Sequence, residues 1–310
     1  MKSQTNTGYV AFLSLVAAIG GILFGYDTAG ISGTISGVAS QFSLDAMPQG
    51  WFVGCALVGS IGGVAVAGVL SDRVGRKLTM LLSAVLFTVS AVGCAVSADF
   101  TQLVVYRIVG GVGIGVVSIV SPMYISDVAV ARWRGTLVSL YQLAITVGCL
   151  AAYLVNFQIL KSAETAAYAS PWMQKIWVTE LWRGMFGAET LPALLFFTVI
   201  FFIPESPRWL VLRGRDVRAH AVLQRIYRSS EAADEEIAAV HGTASASSKS
   251  EWRVLFEPGI RKAVVIGVFI AILGQFMGVN AVLYYGPTLF ENAGLSSGDS
   301  LVSPVLAGVV

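Results

Sequence analysis

Long apolar runs constrain the fold of this chain more than any other feature of its sequence. A helix of about 20 residues crosses the roughly 30 Å hydrocarbon core of a bilayer, because it rises about 1.5 Å per residue. Backbone polar groups need internal partners there, which favours helices. The sequence predicts seven spans, near Tyr9–Ser32, Trp51–Leu70, Leu78–Ala98, Leu103–Ile125, Thr136–Ile159, Met185–Ile203 and Ala263–Tyr285.

The composition agrees with a membrane environment. Hydrophobic residues make up 55% of the chain and charged residues only 12%, whereas a soluble domain has about 25% charged residues. The net charge is +2 and the basic residues lie in short blocks, so no nucleic-acid surface is indicated. Cys55, Cys94 and Cys149 each fall in an apolar run and do not indicate a disulfide framework or a metal site. We expect membrane lipid as a partner and no cofactor.

Lysine and arginine collect in alternate loops, which predicts the orientation. Arg73 and Arg76 lie between the second and third spans, Arg132 and Arg134 follow the fourth, and the segment from 208 to 262 is the longest basic stretch. Loops of this kind face the cytoplasm. The chain is therefore predicted to be a multi-pass protein of the cell (inner) membrane with a cytoplasmic amino terminus.

The order of the segments predicts an all-α membrane protein in three parts. These are a six-helix amino-terminal bundle (1–203), a cytoplasmic helical linker (204–261) and the start of a carboxy-terminal bundle (262–310). An eighth apolar run begins near Leu301, about 10 residues before Val310, which is too short to span. We therefore expect the chain to stop before the rest of the carboxy-terminal bundle. Carriers built from two bundles place the substrate at their interface.

Asp27 lies inside the first span, where a carboxylate costs about 2.5 to 3.5 kcal/mol and indicates a functional site. Arg107, at a similar depth in the fourth span, is its predicted partner. A lone carboxylate in apolar surroundings favours its protonated form, whereas a neighbouring arginine favours the ionised form. Making and breaking the pair would thus bind and release a proton, although a static structural ion pair has the same sequence. Glu189 lies in the sixth span and has two interpretations. It is either a proton relay or a water-exposed carboxylate at a helix end.

Four uncharged polar residues in the spans match the donor and acceptor pattern of the hydroxyl groups of an uncharged polyol: Gln142, Gln275, Asn280 and Tyr284. Hydrogen bonds between helices are the alternative. Gln275 and Asn280 would point about 140° apart on a regular helix, and Gly274 and Gly278 would allow a break that brings them together.

The loops predicted to be cytoplasmic contain opposite charges that could hold one conformation through breakable salt bridges. A role of the arginines in topology alone is the alternative. Glycine pairs four residues apart, such as Gly21 with Gly25 and Gly59 with Gly63, predict close helix packing. The residues of the predicted cytoplasmic gate are Asp72, Arg73, Gly75, Arg76, Asp127, Arg134, Glu205 and Arg208.

Seven motifs together resemble the sugar porter family of the major facilitator superfamily, and the first is most similar to bacterial xylose/proton symporters. They are FGYDTAGISG, SDRVGRK, YRIVGGVGIG, SPMYISD, RWRG, PESPRWL and QFMGVNAVLYYGP. The resemblance implies proton coupling by Asp27 with Arg107, a monosaccharide substrate and sugar contacts from the four polar residues. Two positions depart from the family pattern. Gly274 precedes Gln275 where the family usually has two consecutive glutamines, and Cys149 stands where xylose carriers often have a further glutamine.

The sequence therefore favours a proton-coupled hexose or pentose symporter that works by alternating access, and no enzyme. Two alternatives remain open at this point. One is a proton-independent facilitator, against which the ionisable Asp27 argues. The other is a sugar sensor or a fragment that does not transport.

Overall fold

The computed structural model describes residues 5–165, 170–246 and 258–294, and within these ranges the chain is helical apart from short turns. Among the described residues, seven segments are long and apolar enough to cross a membrane, which confirms the all-α membrane fold. The predicted start of an eighth span near Leu301 lies outside the described residues. The helices are α1 (Thr7–Gly30), α2 (Ile35–Phe42), α3 (Ala46–Val74), α4 (Arg76–Val96), α5 (Phe100–Val128), α6 (Arg134–Thr165), α7 (Pro171–Gln174), α8 (Leu181–Ala188), α9 (Thr190–Ile200), α10 (Pro207–Leu212), α11 (Asp216–Tyr227), α12 (Ser230–Ala246), α13 (Pro258–Phe276) and α14 (Val279–Asn292).

Capping side chains determine where the spans begin. The Asn6 side chain accepts a hydrogen bond from the backbone N–H of Tyr9 at the start of α1, and Asp99 accepts one from Gln102 at the start of α5. The Gln102 side chain in turn accepts from the backbone of Ala98. Such caps satisfy N–H groups that have no partner within the helix. Most observed spans extend a few residues beyond the predicted ones, because polar residues outside the hydrocarbon core continue the helices, but the third and sixth spans end two to three residues earlier than predicted.

Glycines let the spans approach backbone to backbone. A Cβ atom on Gly25 of α1 would collide with the Ile145 carbonyl of α6, and one on Gly59 of α3 would collide with the Ile108 carbonyl of α5. Gly111 of α5 meets the carbonyl of Ala56 in the same way. Close approach through small residues is typical of membrane helices. The packing interpretation of the glycine pairs is therefore confirmed.

Two of the spans are each divided into two helices. In the sixth, α8 and α9 meet at Glu189, because Pro192 has no N–H to donate and its ring crowds the carbonyl of residue 188. In the seventh, α13 and α14 meet at Gly278, whose φ is +76°. That left-handed conformation is open to glycine at little cost. The predicted break at Gly278 is confirmed.

The short helices α10, α11 and α12 cover one end of the bundle, which we call the inner end, and α2 lies at the opposite, outer end. The Tyr124 hydroxyl donates to the carbonyl of Pro204, and the backbone N–H of Asn6 donates to Ile226. These contacts hold the inner helices against the spans. Their presence agrees with the helices expected in 204–261, while α13 begins at Pro258, before the predicted border. The three-part division of the chain stays a prediction.

Candidate functional site

An ion pair between α1 and α5 lies in the interior of the helical bundle. Nη1 of Arg107 lies 2.5 Å from Oδ1 of Asp27, and the side chains are only 3% and 5% exposed. Asp27 lies near the end of α1 and Arg107 near the start of α5, so both residues lie toward the outer end. A charge buried without a partner costs several kcal/mol, so the pair is strongly favoured while the site stays dry.

The arginine keeps an unused donor. Its Nε atom has no hydrogen-bond partner among the residues that the structure describes, and its guanidinium lies 5.5 Å from the ring centroid of Phe186. A cation over an aromatic face is stabilised by the ring quadrupole. Arg107 therefore has capacity for a second carboxylate without releasing Asp27.

Glu189 lies at the break between α8 and α9 and is only 5% exposed. Its charge interacts with those of Asp27 and Arg107, and it also acts on the buried hydroxyl of Tyr26. The structure therefore brings together the three ionisable residues that the sequence singled out. The alternative of a water-exposed carboxylate does not fit this burial.

The break in the seventh span brings two amides into contact. Nδ2 of Asn280 lies 3.0 Å from Oε1 of Gln275, and both residues flank Gly278. Gln275 is exposed and Asn280 is half-buried. A pair of this kind leaves amide donors and acceptors free for hydroxyl groups.

The other two candidate sugar ligands are placed differently. Tyr284 is half-buried on α14, and the charges of Asp27 and Arg107 act on its hydroxyl. The neighbouring residue on α14, Leu283, accepts a hydrogen bond of 3.2 Å from Tyr153 of α6. Gln142 is exposed on α6, and within the described ranges the structure does not bring it into contact with Gln275.

At the inner end a single carboxylate joins two distant parts of the chain. Oε1 of Glu205 accepts hydrogen bonds from the backbone N–H groups of Arg76, Lys77 and Ser206, at 2.8, 3.0 and 2.9 Å. Arg76 and Lys77 begin α4, where free N–H groups and the helix dipole favour an anion. Gly75 turns the chain here with a φ of +101°. We call this contact the inner latch.

A second buried carboxylate supports the inner latch. Asp127 of α5 accepts from Nε of Arg76 at 3.2 Å and from the Ser206 hydroxyl at 2.7 Å. Arg76 also donates to Asp72 at 3.1 Å. The backbone carbonyl of Asp72 accepts from Nε1 of Trp209 at 2.8 Å, so α3, α4, α5 and α10 meet at one point.

Three other residues of the predicted gate take less part in these hydrogen bonds and ion pairs. Arg134 and Arg208 are exposed and line a cavity of about 180 Å³ together with Asp127. In the described part of the chain neither forms a direct ion pair, although the charge of Arg208 interacts with that of Asp127. The Arg73 side chain is exposed, and its backbone carbonyl accepts from Arg213.

Several residues of the site were missed in the sequence. Tyr26, Phe186, Ser206 and Trp209 all contact or face the residues described above, and two of them belong to the PESPRWL motif. Their motif membership was a usable signal, but a serine or an aromatic in an apolar chain more often packs or caps than functions. Only the three-dimensional contacts separate these roles.

A helical chain with seven apolar spans, a buried ion pair between two of them and broken helices beside it has the make-up of a multi-pass membrane transport protein. Comparison with known proteins specifies this class. The family described as "Sugar (and other) transporter" matches residues 13–310, and the chain belongs to that family.

Two relatives illustrate the similarity. The D-xylose-proton symporter of Escherichia coli (strain K12) is 37% identical over an alignment of 340 positions, which covers 100% of this chain and 66% of the relative. The arabinose-proton symporter of Bacillus subtilis (strain 168) is 37% identical over 307 residues, which cover 98% of this chain and 64% of the relative. The chain therefore spans about two-thirds of the length of these relatives, which are transporters and not enzymes.

Solved structures agree on the fold. The major facilitator superfamily proton:xylose symporter XylE bound to 6-bromo-6-deoxy-D-glucose matches with a TM-score of 0.85 at 37% identity, over 98% of this chain and 67% of that one. The partially occluded inward-open form of XylE from E. coli matches with a TM-score of 0.82 at 35% identity, over 97% of this chain and 70% of that one. The expected superfamily fold is confirmed.

Proposed function

We propose that this chain carries the proton-coupling half of a monosaccharide/proton symporter that works by alternating access. The observation that supports this most directly is the buried ion pair of Asp27 with Arg107, with Glu189 at its side. The names of the relatives also support it, because they are proton symporters of D-xylose and arabinose. The proton is the coupling ion, and a hexose or pentose is the substrate.

In the proposed cycle, opening of the ion pair leaves Asp27 without its counter-charge in apolar surroundings. A carboxylate in that position favours its neutral form and takes up a proton. Reclosing of the pair favours the ionised form and releases the proton. In this cycle Glu189 pairs with Arg107 through Nε, which has no hydrogen-bond partner within the described residues. Its role as a relay is part of the proposal.

Sugar binds, in this proposal, where the amides of Gln275 and Asn280 meet, with Gln142 and Tyr284 as further ligands. The inner latch closes the cytoplasmic side, and its breakage opens that side. Asp72, Arg73, Gly75, Arg76, Asp127, Arg134, Glu205 and Arg208 form the proposed gate. Rocking of one bundle against another around the substrate is the general mechanism of such carriers.

Transport in liposomes tests the coupling. The chain alone is compared with the same chain followed by the remaining third of the E. coli D-xylose-proton symporter, which we call the extended carrier. In the extended carrier, Asp27→Asn keeps the shape of the side chain but cannot ionise. Sugar accumulation driven by a proton gradient should be lost, while exchange between equal sugar pools should persist, since exchange needs no net proton movement.

Asp45→Asn is the matched control, because Asp45 is an exposed carboxylate at the outer end. Accumulation should be unchanged in it. If Asp27→Asn still concentrates sugar with only a proton gradient supplied, Asp27 is not the coupling site. If the wild-type extended carrier equilibrates sugar without using the gradient, the protein is a facilitator. Accumulation by the chain alone would show that one bundle is enough.

A further inference from the structure

A cavity of about 500 Å³ at the outer end of the bundle reaches from the surface toward the interior. Ser36 and Ser40 of α2 line it and are exposed. Met185 of α8 also lines it and is buried. We call this space the outer cavity. It brings water from the outer side to the flank of α8.

A buried amide adjoins the inner part of this cavity. Asn156 of α6 is fully buried, and its Nδ2 donates to the carbonyl of Gly30 at 3.0 Å. A Cβ atom on Gly33, which lines the cavity, would lie 2.6 Å from that Nδ2 and 3.1 Å from Sδ of Met185. Oδ1 of Asn156 has no hydrogen-bond partner among the described residues. Ordered water is the usual partner of such a buried acceptor.

A second polar group without a partner lies one helical turn deeper. Tyr26 precedes Gly30 by four residues on α1, and Glu189 follows Met185 by four in the sixth span. Tyr26 is buried, and in the described part of the chain its hydroxyl forms no hydrogen bond. The charge of Glu189 acts on that hydroxyl. Tyr26 and Glu189 therefore lie on the way from the outer cavity to the interior.

The third group on this way belongs to the ion pair itself. Nε of Arg107 also lacks a hydrogen-bond partner within the described ranges, and the charges of Asp27 and Arg107 act on Glu189. Leaving a buried polar group unpaired is costly, so a series of such groups needs an explanation beyond packing. From the cavity inward, the series is Oδ1 of Asn156, the hydroxyl of Tyr26 and Nε of Arg107.

We propose that Asn156 and Tyr26 form a proton entry route from the outer cavity to Glu189, from which the proton reaches Asp27 when the ion pair opens. Oδ1 of Asn156 positions a hydronium ion, which gives one proton to the oxygen of Tyr26. At the same time the Tyr26 hydroxyl gives its own proton to the Glu189 carboxylate. The products are water, an unchanged tyrosine and a neutral glutamic acid. This inference rests on the proposed function, because the route supplies the proton that the symporter uses.

Initial rates of sugar accumulation by the extended carrier in liposomes test the route, with a proton gradient as the only driving force. Tyr26→Phe removes the hydroxyl and keeps the ring, and Asn156→Leu removes the amide at a similar volume. Each should slow accumulation about threefold to tenfold, as expected when a barrier loses one hydrogen bond. Exchange between equal sugar pools should keep its rate. Asn156→Ser, which retains an oxygen and leaves room for water, should be faster than Asn156→Leu.

A solvent isotope effect separates proton entry from a structural role. Proton transfer is slower in D₂O, so the ratio of accumulation rates in H₂O and D₂O should rise above that of the parent once entry limits the rate. Tyr141→Phe is the matched control, since the Tyr141 hydroxyl is also buried without a partner among the described residues. Within that part of the chain, the charges of Asp27, Arg107 and Glu189 do not act on it. This variant should keep the rates and the isotope ratio of the parent.

Parent rates and parent isotope ratios in both Tyr26→Phe and Asn156→Leu would overturn the route. The proposed function would still stand if Asp27→Asn abolished accumulation in the same liposomes, and the proton would then enter elsewhere. Slower sugar exchange with an unchanged isotope ratio would give the two residues a packing role and would also overturn the route. A parent carrier that equilibrates sugar without using the gradient would refute proton coupling and the route together.

Discussion

Glu180 shows how a single carboxylate at the outer end makes the stability of the chain depend on pH. Because its folded pKa is depressed, its contribution to stability is present above the pKa of the unfolded chain. That contribution is lost as the pH falls through the folded pKa. The charges that face Glu180 are those of Lys175 and Arg183.

We therefore predict that thermal stability changes little through Glu180 between about pH 8 and about pH 5, and falls below about pH 4. Glu180→Gln should lower stability at neutral pH and reduce this acid-induced loss. Melting curves of the purified chain in detergent measure both effects. Asp45→Asn, at an exposed position outside the network, should melt as the parent does at every pH. If Glu180→Gln loses as much thermal stability in acid as the parent does, other titrating groups cause that loss.

Among the amides, we expect the substitution of Gln275 to weaken the affinity for sugar most. It touches Asn280 across the break in the seventh span, so its removal takes away a ligand and loosens a second one. A hydrogen bond worth about 0.5 to 1.5 kcal/mol corresponds to an affinity about 2 to 13 times weaker. Calorimetry on the extended carrier should show this for Gln275→Ala. Gln224→Ala, exposed on α11, should have no effect, and equal affinities would mean that Gln275 only packs.

At the scale of helices, the contact of α3 with α5 depends on the absence of side chains at particular positions. Gly59 faces the Ile108 carbonyl closely, whereas a Cβ atom on Gly62, in the same helix, meets nothing within 4 Å. Alanine favours a helix over glycine by about 1 kcal/mol, and forcing an atom into a packed contact costs about 1 to 3 kcal/mol. Gly59→Ala should therefore melt at a lower temperature than the parent, and Gly62→Ala should not. Equal melting of the two variants would contradict the close packing seen here.

The break at Gly278 is expected to define the angle between α13 and α14. A left-handed φ costs a residue with a Cβ atom about 1 to 2 kcal/mol, so Gly278→Ala should straighten the span. Gly274→Ala, at a helical position with open space around it, should leave the angle unchanged. Distances between spin labels at Lys262 and Leu289 in a cysteine-free chain report the angle. An unaltered distance in Gly278→Ala would mean that other contacts determine the bend.

How much of this architecture was predictable differs between the two broken spans. Seven spans follow from hydropathy because backbone groups in lipid have few alternatives to a helix. The break at Gly278 was also predictable, since glycines and two amides out of phase pointed to it. In the sixth span, Pro192 indicated only a bend, because proline is tolerated in membrane helices and its presence alone does not place a break. Pairing of Asp27 with Arg107 followed from depth, whereas the burial of Glu189, which is only 5% exposed, could not be read from the sequence because it depends on how the spans pack.

At the scale of the whole molecule, the positive-inside pattern predicts which end faces the cytoplasm. Met47 is exposed at the outer end and Glu235 is exposed on α12 at the inner end. In intact cells, a membrane-impermeant maleimide should label Met47→Cys. It should label Glu235→Cys only after permeabilisation. The native cysteines Cys55 and Cys94 are buried, so the parent chain measures the background. The reverse labelling pattern would mean that the predicted orientation is wrong.

The inner latch also has a consequence for the order of events during synthesis. Glu205 follows its hydrogen-bond donor Arg76 by 129 residues. At about 5 to 20 residues per second, the ribosome needs roughly 6 to 26 s to add that length. During this interval the N–H groups at the start of α4 lack the carboxylate of Glu205 and need other partners such as water, while the fourth, fifth and sixth spans are made. We therefore expect the inner latch to form only after the sixth span has been made, when Glu205 of the PESPRWL segment reaches the start of α4.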